Sequence, residues 1–362
     1  MCRKSFNVVI SVVSCHGIGR YPDGLATRDP DAIQTRSRVE QDCMRLSVVI
    51  CTRNRADYLR QALRSISRCE HPPAGDWEVV VVDNGSEDHT RDVATTEAGN
   101  YELSVVEEAV PGLSHARNCG IRVARGDWIL WTDDDVTVGE KWLIRYYEAI
   151  INRPDAQAFG GPIHIVLEGQ PEVWLVNGLN NVKSAFAGLA ADDIGDTFEA
   201  KGVVPYGANF ALRRNYLARI GFDPDLGRHP KHHLRGGEET IAIRQAVRDG
   251  PGYWLRDASV SHHIDSGRQT RRYLRDYYFS YGYRQGMEIS ERLSGRRLVR
   301  ETLVSLRSAL KSEAGLLLHT PAIMATQLLK DAARSWGRVA GIIHTFLARQ
   351  KAGSGLGSTH EY

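Results

Sequence analysis

From Leu46 onward, the hydrophobic pattern alternates between two kinds of segment. Short, continuous apolar runs bounded by turn residues predict buried strands, and the first four are 47–51, 78–82, 103–106 and 127–131. Between them, apolar residues recur at the i, i+3, i+4, i+7 spacing and predict helices at 58–67, 88–98, 113–123 and 141–152. Apolar strands without alternation, separated by helices, indicate an α/β fold with a mostly parallel sheet covered on both faces.

The pattern changes towards both ends of the chain. Residues 1–43 show little periodicity, which predicts a disordered segment or a mis-assigned start. The α/β domain is expected over 44–286, followed by a basic, amphipathic helical extension over 287–351 and a flexible tail over 352–362. Within the domain, 174–198 is irregular and predicts a loop or lid.

Polar side chains stand where predicted strands end. Asp133, Asp134 and Asp135 follow one apolar run, and Thr52 and Asp83 follow two others. Ligands of parallel sheets bind at the carboxyl ends of the strands, so these side chains are expected to line a site. Adjacent carboxylates repel each other, and a hard cation such as Mg²⁺ or Mn²⁺ relieves that conflict. A solvated acidic turn is the alternative interpretation of the aspartates.

Composition and charge change the picture mainly for the C-terminal part. The chain is 42% hydrophobic and 25% charged, which is ordinary for a globular protein, and its formal net charge is only +2. Between Arg268 and Lys351, however, 16 Lys and Arg stand against six Asp and Glu. These charges lie beside apolar segments such as Ile342-Ile343 and Phe346-Leu347, a pattern that favours an anionic membrane surface over nucleic acid. Packing on the catalytic domain and pairing into a homodimer are the alternatives for this tail.

Two features of the sequence indicate where in the cell the protein is located. The cysteines form no CxxC pair, which favours reduced thiols, and no apolar run reaches the roughly 18–20 residues of a membrane span. Both observations predict a cytoplasmic protein that is either free or peripheral on the cytoplasmic face of the membrane.

The ordered motifs resemble the family 2 glycosyltransferases, which have the GT-A fold, over roughly residues 46–286. The motifs are Leu46–Arg55, Val79–Ser86, Gly112–Gly120, Thr132–Asp135 and Gly237–Thr240, with His262 downstream. This resemblance implies an inverting transfer from a UDP-, GDP- or dTDP-sugar to a glycan or lipid-linked acceptor, in polysaccharide or glycoconjugate biosynthesis.

The resemblance also assigns roles to single residues. The nucleotide-sugar donor is expected to contact Thr52, Asn54, Asp83, Arg117, Asn118, Asp133 and Asp134. Mn²⁺ or Mg²⁺ is expected on Asp135, with His262 as a further ligand. From the residues alone, Asp83 could equally cap a turn, Arg117 could form a salt bridge, and His262 could be a packed histidine.

Glu239 is the expected general base. The family usually has Glu-Asp where this chain has Glu238-Glu239, and a glutamate can remove the same proton with a longer reach. Glu238, Gly161 and Asn209 are expected to contact the substrate. For Glu239 the alternative is an acidic residue that merely stabilises a helix N-terminus.

Two other classes of protein are alternatives to a glycosyltransferase. A dehydrogenase-like enzyme needs a glycine-rich turn after the first strand, where this chain has Thr52-Arg53-Asn54-Arg55. A non-catalytic nucleotide-sugar-binding protein on the same scaffold would not need Asp133, Asp135 and Glu239, and a metal titration separates it from an enzyme.

Overall fold

The computed structural model describes residues 10–14, 46–97, 99–198, 202–228, 236–317 and 322–354. They fall into two compact units. The first unit contains the described residues of 1–164, 189–231 and 236–262, and the second contains those of 165–188 and 263–362. The second unit therefore begins before the predicted boundary at 286 and also takes in an internal segment.

The strands are β1 (Ile10–Ser14), β2 (Leu46–Thr52), β3 (Trp77–Asp83), β4 (Leu103–Glu107), β5 (Trp128–Asp133), β6 (Val136–Val138), β7 (Ala158–Gly160), β8 (Ile163–Leu167), β9 (Phe210–Arg213), β10 (Gly252–Trp254) and β11 (Val260–Ile264). The helices are α1 (Ala56–Arg68), α2 (Thr90–Thr96), α3 (Leu113–Val123), α4 (Trp142–Asn152), α5 (Val173–Val182), α6 (Arg214–Ile220), α7 (Glu238–Ala246), α8 (Arg271–Arg292), α9 (Gly295–Leu317) and α10 (Ala322–Ser354).

The first unit is built on one large sheet with the order β1-β4-β3-β2-β5-β9-β7-β10. Every neighbouring pair is parallel except those of β9, which runs antiparallel to β5 and β7. The predicted α/β fold with a mostly parallel sheet is therefore confirmed. β3 is buried along its whole length, which explains why its sequence is apolar without alternation.

Strand register places the candidate site. Thr52 pairs with Asp83 across β2 and β3, and Cys51 pairs with Asp133 across β2 and β5. The three strands thus end at one level, and the polar residues that follow them share one edge of the sheet. β6 lies just beyond this edge and pairs antiparallel with β11, with His262 opposite Val136.

Residues 10–14 depart from the prediction that positions 1–43 are disordered. They form β1, which pairs in parallel with β4 from Ile10 opposite Leu103 to Ser14 opposite Glu107. This run is short and apolar, but it stands alone before an irregular segment, and its partner is nearly a hundred residues away. The rest of 1–43 lies outside the described residues.

The predicted loop or lid over 174–198 is wrong for its first part. Val173–Val182 forms α5, and Lys183–Phe186 forms a short 3-10 helix. Leu175, Val182 and Phe186 are buried in one cluster with Leu274 and Tyr278 of α8. This helix is stabilised by partners about a hundred residues later, which a local pattern does not reveal.

In the second unit, α8 and α10 approach each other at glycines on both helices. A Cβ at Gly282 would lie 1.9 Å from the carbonyl oxygen of Arg334, and one at Gly337 would lie equally close to that of Phe279. Gly286 and Gly341 lie one turn further along and show the same relation to Arg338 and Tyr283. The close spacing of α8 and α10 therefore depends on the absence of a side chain at these four glycines.

Three of the six cysteines lie in the described residues. Cys51 and Cys69 are free thiols, and Cys119 is disulfide-bonded. The prediction of reduced thiols therefore does not hold for Cys119.

Replacing Gly341 by alanine is expected to destabilise the second unit. The new Cβ would lie 2.0 Å from the carbonyl oxygen of Tyr283. We expect a cost of about 1–3 kcal/mol from overpacking, which outweighs the gain of about 1 kcal/mol from alanine's better helix propensity. The control is Gly315→Ala, where the new Cβ meets only the end of the Leu328 side chain. Calorimetry should show a lower melting temperature for Gly341→Ala alone; equal melting temperatures would contradict the close-packing account.

Candidate active site

The aspartates after β5 are buried against the end of β2. The Thr52 hydroxyl donates a hydrogen bond of 2.8 Å to Oδ2 of Asp134. Both residues are buried, whereas Asp133 is more open, with 36% of its side chain exposed. Thr52 therefore orients Asp134, and Asp133 is the aspartate with its carboxylate accessible.

Arg55 neutralises part of this negative charge. Its Nη1 donates to Oδ2 of Asp135 over 2.7 Å and lies 3.5 Å from Oδ1 of Asp134. From the sequence alone, Arg55 is assigned no role. Arg55 follows the end of β2 by three residues, and Asp134 and Asp135 follow the neighbouring strand β5. A cation after one strand and carboxylates after the next is the pattern that could have identified this ion pair.

Burial shifts the pKa of the Asp134 carboxyl. Removal from water raises the pKa of Asp134 to about 7, the Arg55 guanidinium opposes that rise, and neighbouring Asp135 adds to it. The carboxylates of this cluster therefore depend on nearby positive charge to remain ionised together.

His262 stands on the other side of Asp135. The β6–β11 pairing carries it there, and its Nε2 lies 3.3 Å from Oδ1 of Asp135. Within the described part of the chain, no group of three or more His, Cys, Asp and Glu forms a complete metal site. Asp135 supplies the hard oxygen donors that Mg²⁺ and Mn²⁺ prefer, and such ions often use one or two carboxylates together with substrate phosphates. The residues present therefore fit a divalent cation.

Arg117 of α3 is enclosed in the interior of the first unit. Its guanidinium lies 5.4–5.9 Å from the ring centres of Trp131, Phe210 and Phe222, and only 3% of its side chain is exposed. A Cβ at Gly207 would lie 2.5 Å from its Nη2, so any side chain there would displace the guanidinium. In this structure the side chain contacts the protein itself, and its predicted contact with a nucleotide stays a prediction.

Arg117 instead joins three carboxylates. Its Nη1 donates to Oε1 of Glu238 over 2.5 Å and lies 3.9 Å from Oε2 of Glu239. Its Nη2 lies 3.9 Å from Oδ1 of Asp133. Burial alone would lower the pKa of Arg117, but the three carboxylates outweigh burial and raise it. Arg117 and Glu238 thus form the salt bridge that the sequence left open as the alternative, and both side chains are buried.

Glu239 lies in the first turn of α7, beside this pair. Gly237 precedes the helix with φ 105°, a conformation that glycine adopts readily, and turns both glutamates inward. Removal from water raises the pKa of Glu239 to about 7; the charge of Glu238 adds to the rise, and Arg117 opposes it. A carboxylate with this pKa can accept a proton near neutral pH.

Residues 47–221 match the family model described as glycosyl transferase family 2. This part of the chain belongs to that family. The predicted resemblance is therefore confirmed, and the fold class follows from the sheet order together with this match.

Among the relatives of this glycosyltransferase domain is glycosyltransferase AglE of Haloferax volcanii, 28% identical over 198 residues that cover 53% of this chain and 58% of that protein. The succinoglycan biosynthesis protein ExoM of Rhizobium meliloti is 24% identical over 312 residues, 83% of this chain and 94% of that protein. The match to AglE thus spans little more than half of that relative's length.

A solved structure of similar fold is the mannosyltransferase PcManGT of Pyrobaculum calidifontis in complex with GDP-Man and Mn²⁺. It is 19% identical, has a TM-score of 0.45, and the match covers 86% of this chain and 80% of that one.

In the glycosyltransferase domain, the predicted donor residues after β2 and β3 also hold local structure. Oδ1 of Asp83 accepts a hydrogen bond of 3.0 Å from the Ser86 amide, as in the turn-capping alternative. Oδ1 of Asn54 accepts a hydrogen bond of 2.7 Å from the Glu87 amide, so Asn54 connects the segment after β2 to the segment after β3. Their contact with a donor stays a prediction.

Asn118 is also occupied by the protein itself. Its side chain donates to the carbonyl oxygen and accepts from the amide of Phe222, over 2.8 and 2.7 Å. It therefore fixes the segment that carries one of the aromatic rings around Arg117, and its contact with a nucleotide also stays a prediction.

Asn209 and Gly161 are held by contacts within the protein, and their predicted contact with the substrate stays a prediction. Asn209 is fully buried; it accepts from Trp142 and Tyr146 and donates to the carbonyl oxygens of Pro162 and Ala258. A Cβ at Gly161 would lie 2.2 Å from the Ala258 carbonyl oxygen. Both positions are required by packing, and the hydrogen bonds of Asn209 use the capacity of its side-chain amide.

Asn209→Ala is expected to lower stability without a specific effect on donor binding. It leaves several buried partners unsatisfied, which should cost at least about 3 kcal/mol in the free energy of unfolding. Asn215→Ala, at an exposed position in α6, is the control and should be neutral. Urea unfolding and nucleotide-sugar titration below the melting temperature test this. A stable variant with weakened donor binding would support contact of Asn209 with the substrate.

Proposed function

We propose that the protein is a metal-dependent, inverting glycosyltransferase that moves a sugar from a nucleotide-sugar donor to a hydroxyl of a glycan or lipid-linked acceptor. The feature that supports it best is Glu239, a carboxylate with only 12% of its side chain exposed, placed beside Glu238 and Arg117 so that its pKa is raised into the range of a general base. It belongs to a carboxylate cluster, joined through Arg117, that includes Asp133 at the strand ends.

In the proposed reaction, Glu239 takes the proton from the acceptor hydroxyl. The acceptor oxygen then forms a bond to the anomeric carbon as the bond from that carbon to the diphosphate oxygen breaks. Because the two bonds lie on opposite faces of the sugar, the configuration inverts. The proton ends on Glu239, and the electron pair leaves with the nucleoside diphosphate.

Glu238 has a supporting role in this proposal. Its Oε1 accepts from Arg117, while its buried Oε2 has no hydrogen-bond partner among the described residues. A buried carboxylate oxygen without a donor is costly, and a sugar hydroxyl would satisfy it. This supports the prediction that Glu238 contacts the substrate.

Asp135 and His262 would hold the divalent cation, and Asp133 is open to the donor. When bound, Mn²⁺ or Mg²⁺ would neutralise the charge of the diphosphate leaving group. Thr52 orients Asp134 within this cluster, and Arg55 neutralises part of the negative charge when no cation is bound.

The relatives support a biosynthetic setting. ExoM is described as a succinoglycan biosynthesis protein and covers most of this chain. An acceptor that is itself a growing polysaccharide or glycoconjugate is therefore the proposal of first choice. A screen of UDP-, GDP- and dTDP-sugars with Mn²⁺, measuring nucleotide release, identifies the donor.

Glu239→Gln is expected to keep donor binding and to lose transfer by at least about 10²-fold, the usual contribution of a general base. The amide fits the same space but cannot accept the proton. Glu148→Gln, at an exposed position on α4, is the control and should transfer normally. Calorimetric donor titration and product analysis by NMR, which also reports the anomeric configuration, test this. Undiminished turnover in Glu239→Gln, or a product of retained configuration, would contradict the mechanism.

Arg55→Gln is expected to tighten Mn²⁺ binding by about fivefold to tenfold. Arg55 and a cation compete for the carboxylate of Asp135, and a hydrogen bond to a charged group is worth up to a few kcal/mol before discounting for exposure. Asp135→Asn should abolish binding, and Arg60→Gln, on the helix that follows Arg55, should leave it unchanged. Electron paramagnetic resonance of free Mn²⁺ measures all three. Weaker binding in Arg55→Gln would show that Arg55 supports the metal.

A further inference from the structure

Helix α9 packs with its small residues inward. Ser305, Ala309 and Ser312 are buried, and the Ser308 hydroxyl lies 3.0 Å from that of Ser335 on α10. Of its large apolar residues, Val299, Leu303, Val304 and Leu310 are exposed, whereas Leu298, Leu306 and Leu316 are half-buried. A helix that only filled the core of the second unit would have the opposite arrangement.

Seven exposed residues of α9 form two adjoining stripes, and the exposed Val304 and Arg297 lie beyond them on the basic side. At 100° per residue, the apolar stripe occupies an arc of about 40° and the basic stripe a neighbouring arc of about 60°. The apolar stripe is Val299, Leu303 and Leu310, and the basic stripe is Arg296, Arg300, Arg307 and Lys311; all are exposed. We call these seven residues together the outer face of α9.

Acidic residues do little to neutralise the outer face. Glu301 of α9 is half-buried, and Glu313 accepts a hydrogen bond from the indole of Trp336. A protein core or an ordinary protein interface would leave four neighbouring cations unpaired. A surface of anionic headgroups above an acyl layer pairs with the basic stripe and takes up the apolar one.

We propose that the outer face of α9 lies on an anionic lipid surface. The apolar stripe enters the boundary between headgroups and acyl chains, and the basic stripe contacts lipid phosphates. Among the described residues no helix is long and apolar enough to cross a membrane. The contact is therefore peripheral, and it is independent of which reaction the first unit performs.

The end of α10 also exposes apolar side chains. Ile343, Phe346 and Leu347 are exposed. Ile342 is buried, which corrects the expectation that the whole Ile342-Ile343 segment faces lipid. Exposed apolar side chains thus occur on both helices of this part of the second unit.

Vesicle flotation of the full-length protein tests the proposal. We expect binding to vesicles of phosphatidylcholine with 30% phosphatidylglycerol at low salt, and much less to pure phosphatidylcholine or at high salt. Replacing the four residues of the basic stripe by glutamine should weaken binding at least about tenfold, since each charge near an anionic surface contributes several-fold. Leu303→Ser with Leu310→Ser should also weaken it, without loss of thermal stability.

A charge-matched control separates a specific surface from net charge. Glutamine at Arg68, Arg145, Arg219 and Arg256 of the first unit removes the same four charges and should leave vesicle binding unchanged. Equal losses in the two quadruple variants would overturn the proposal, as would wild-type protein that ignores anionic vesicles. If Leu303→Ser with Leu310→Ser abolishes self-association in ultracentrifugation while vesicle binding is absent, the outer face pairs two copies of this chain instead.

Discussion

The buried guanidinium of Arg117 imposes the arrangement of the site. A charged group enclosed by three aromatic rings is stable only if carboxylates neutralise it, and Glu238 does so over 2.5 Å. That requirement fixes the first turn of α7 against α3, and with it the position of Glu239. Removing one member of such a buried pair typically costs about 3–5 kcal/mol, because the partner charge is left uncompensated. The proposed base is thus held by a structural interaction.

The strand-end edge contains two centres of compensated charge. One joins Asp134 and Asp135 to Arg55, and the other joins Glu238, Glu239 and Asp133 to Arg117. Arg55 is partly open to solvent, with 29% of its side chain exposed, whereas Arg117 is enclosed, with 3% exposed. A cation or substrate can therefore replace the pairing of Arg55 far more readily than that of Arg117. This difference separates a centre suited to metal and diphosphate from one suited to holding a base.

The sequence predicts the sheet well and the side-chain partners poorly. Strands such as β3 are buried on both faces, so their positions follow from continuous apolar runs. β1 and α5 were missed because each depends on partners about a hundred residues away. At the site, the residue types at strand ends and at the start of α7 were identified. Whether a polar side chain faces a ligand or the protein, as for Arg117 and Asn209, depends on tertiary contacts that spacing does not contain.

The most direct test of this account is the pKa of Glu239, measured by carbon NMR of protein labelled at the glutamate carboxyl carbons. The signal is assigned by its absence in Glu239→Gln, so no substrate needs to be known. We expect Glu239 to titrate near pH 7, because burial and the charge of Glu238 outweigh the opposing effect of Arg117. Titration near 4.3, the ordinary value for a glutamate, would contradict the claim that this carboxylate is poised as the base.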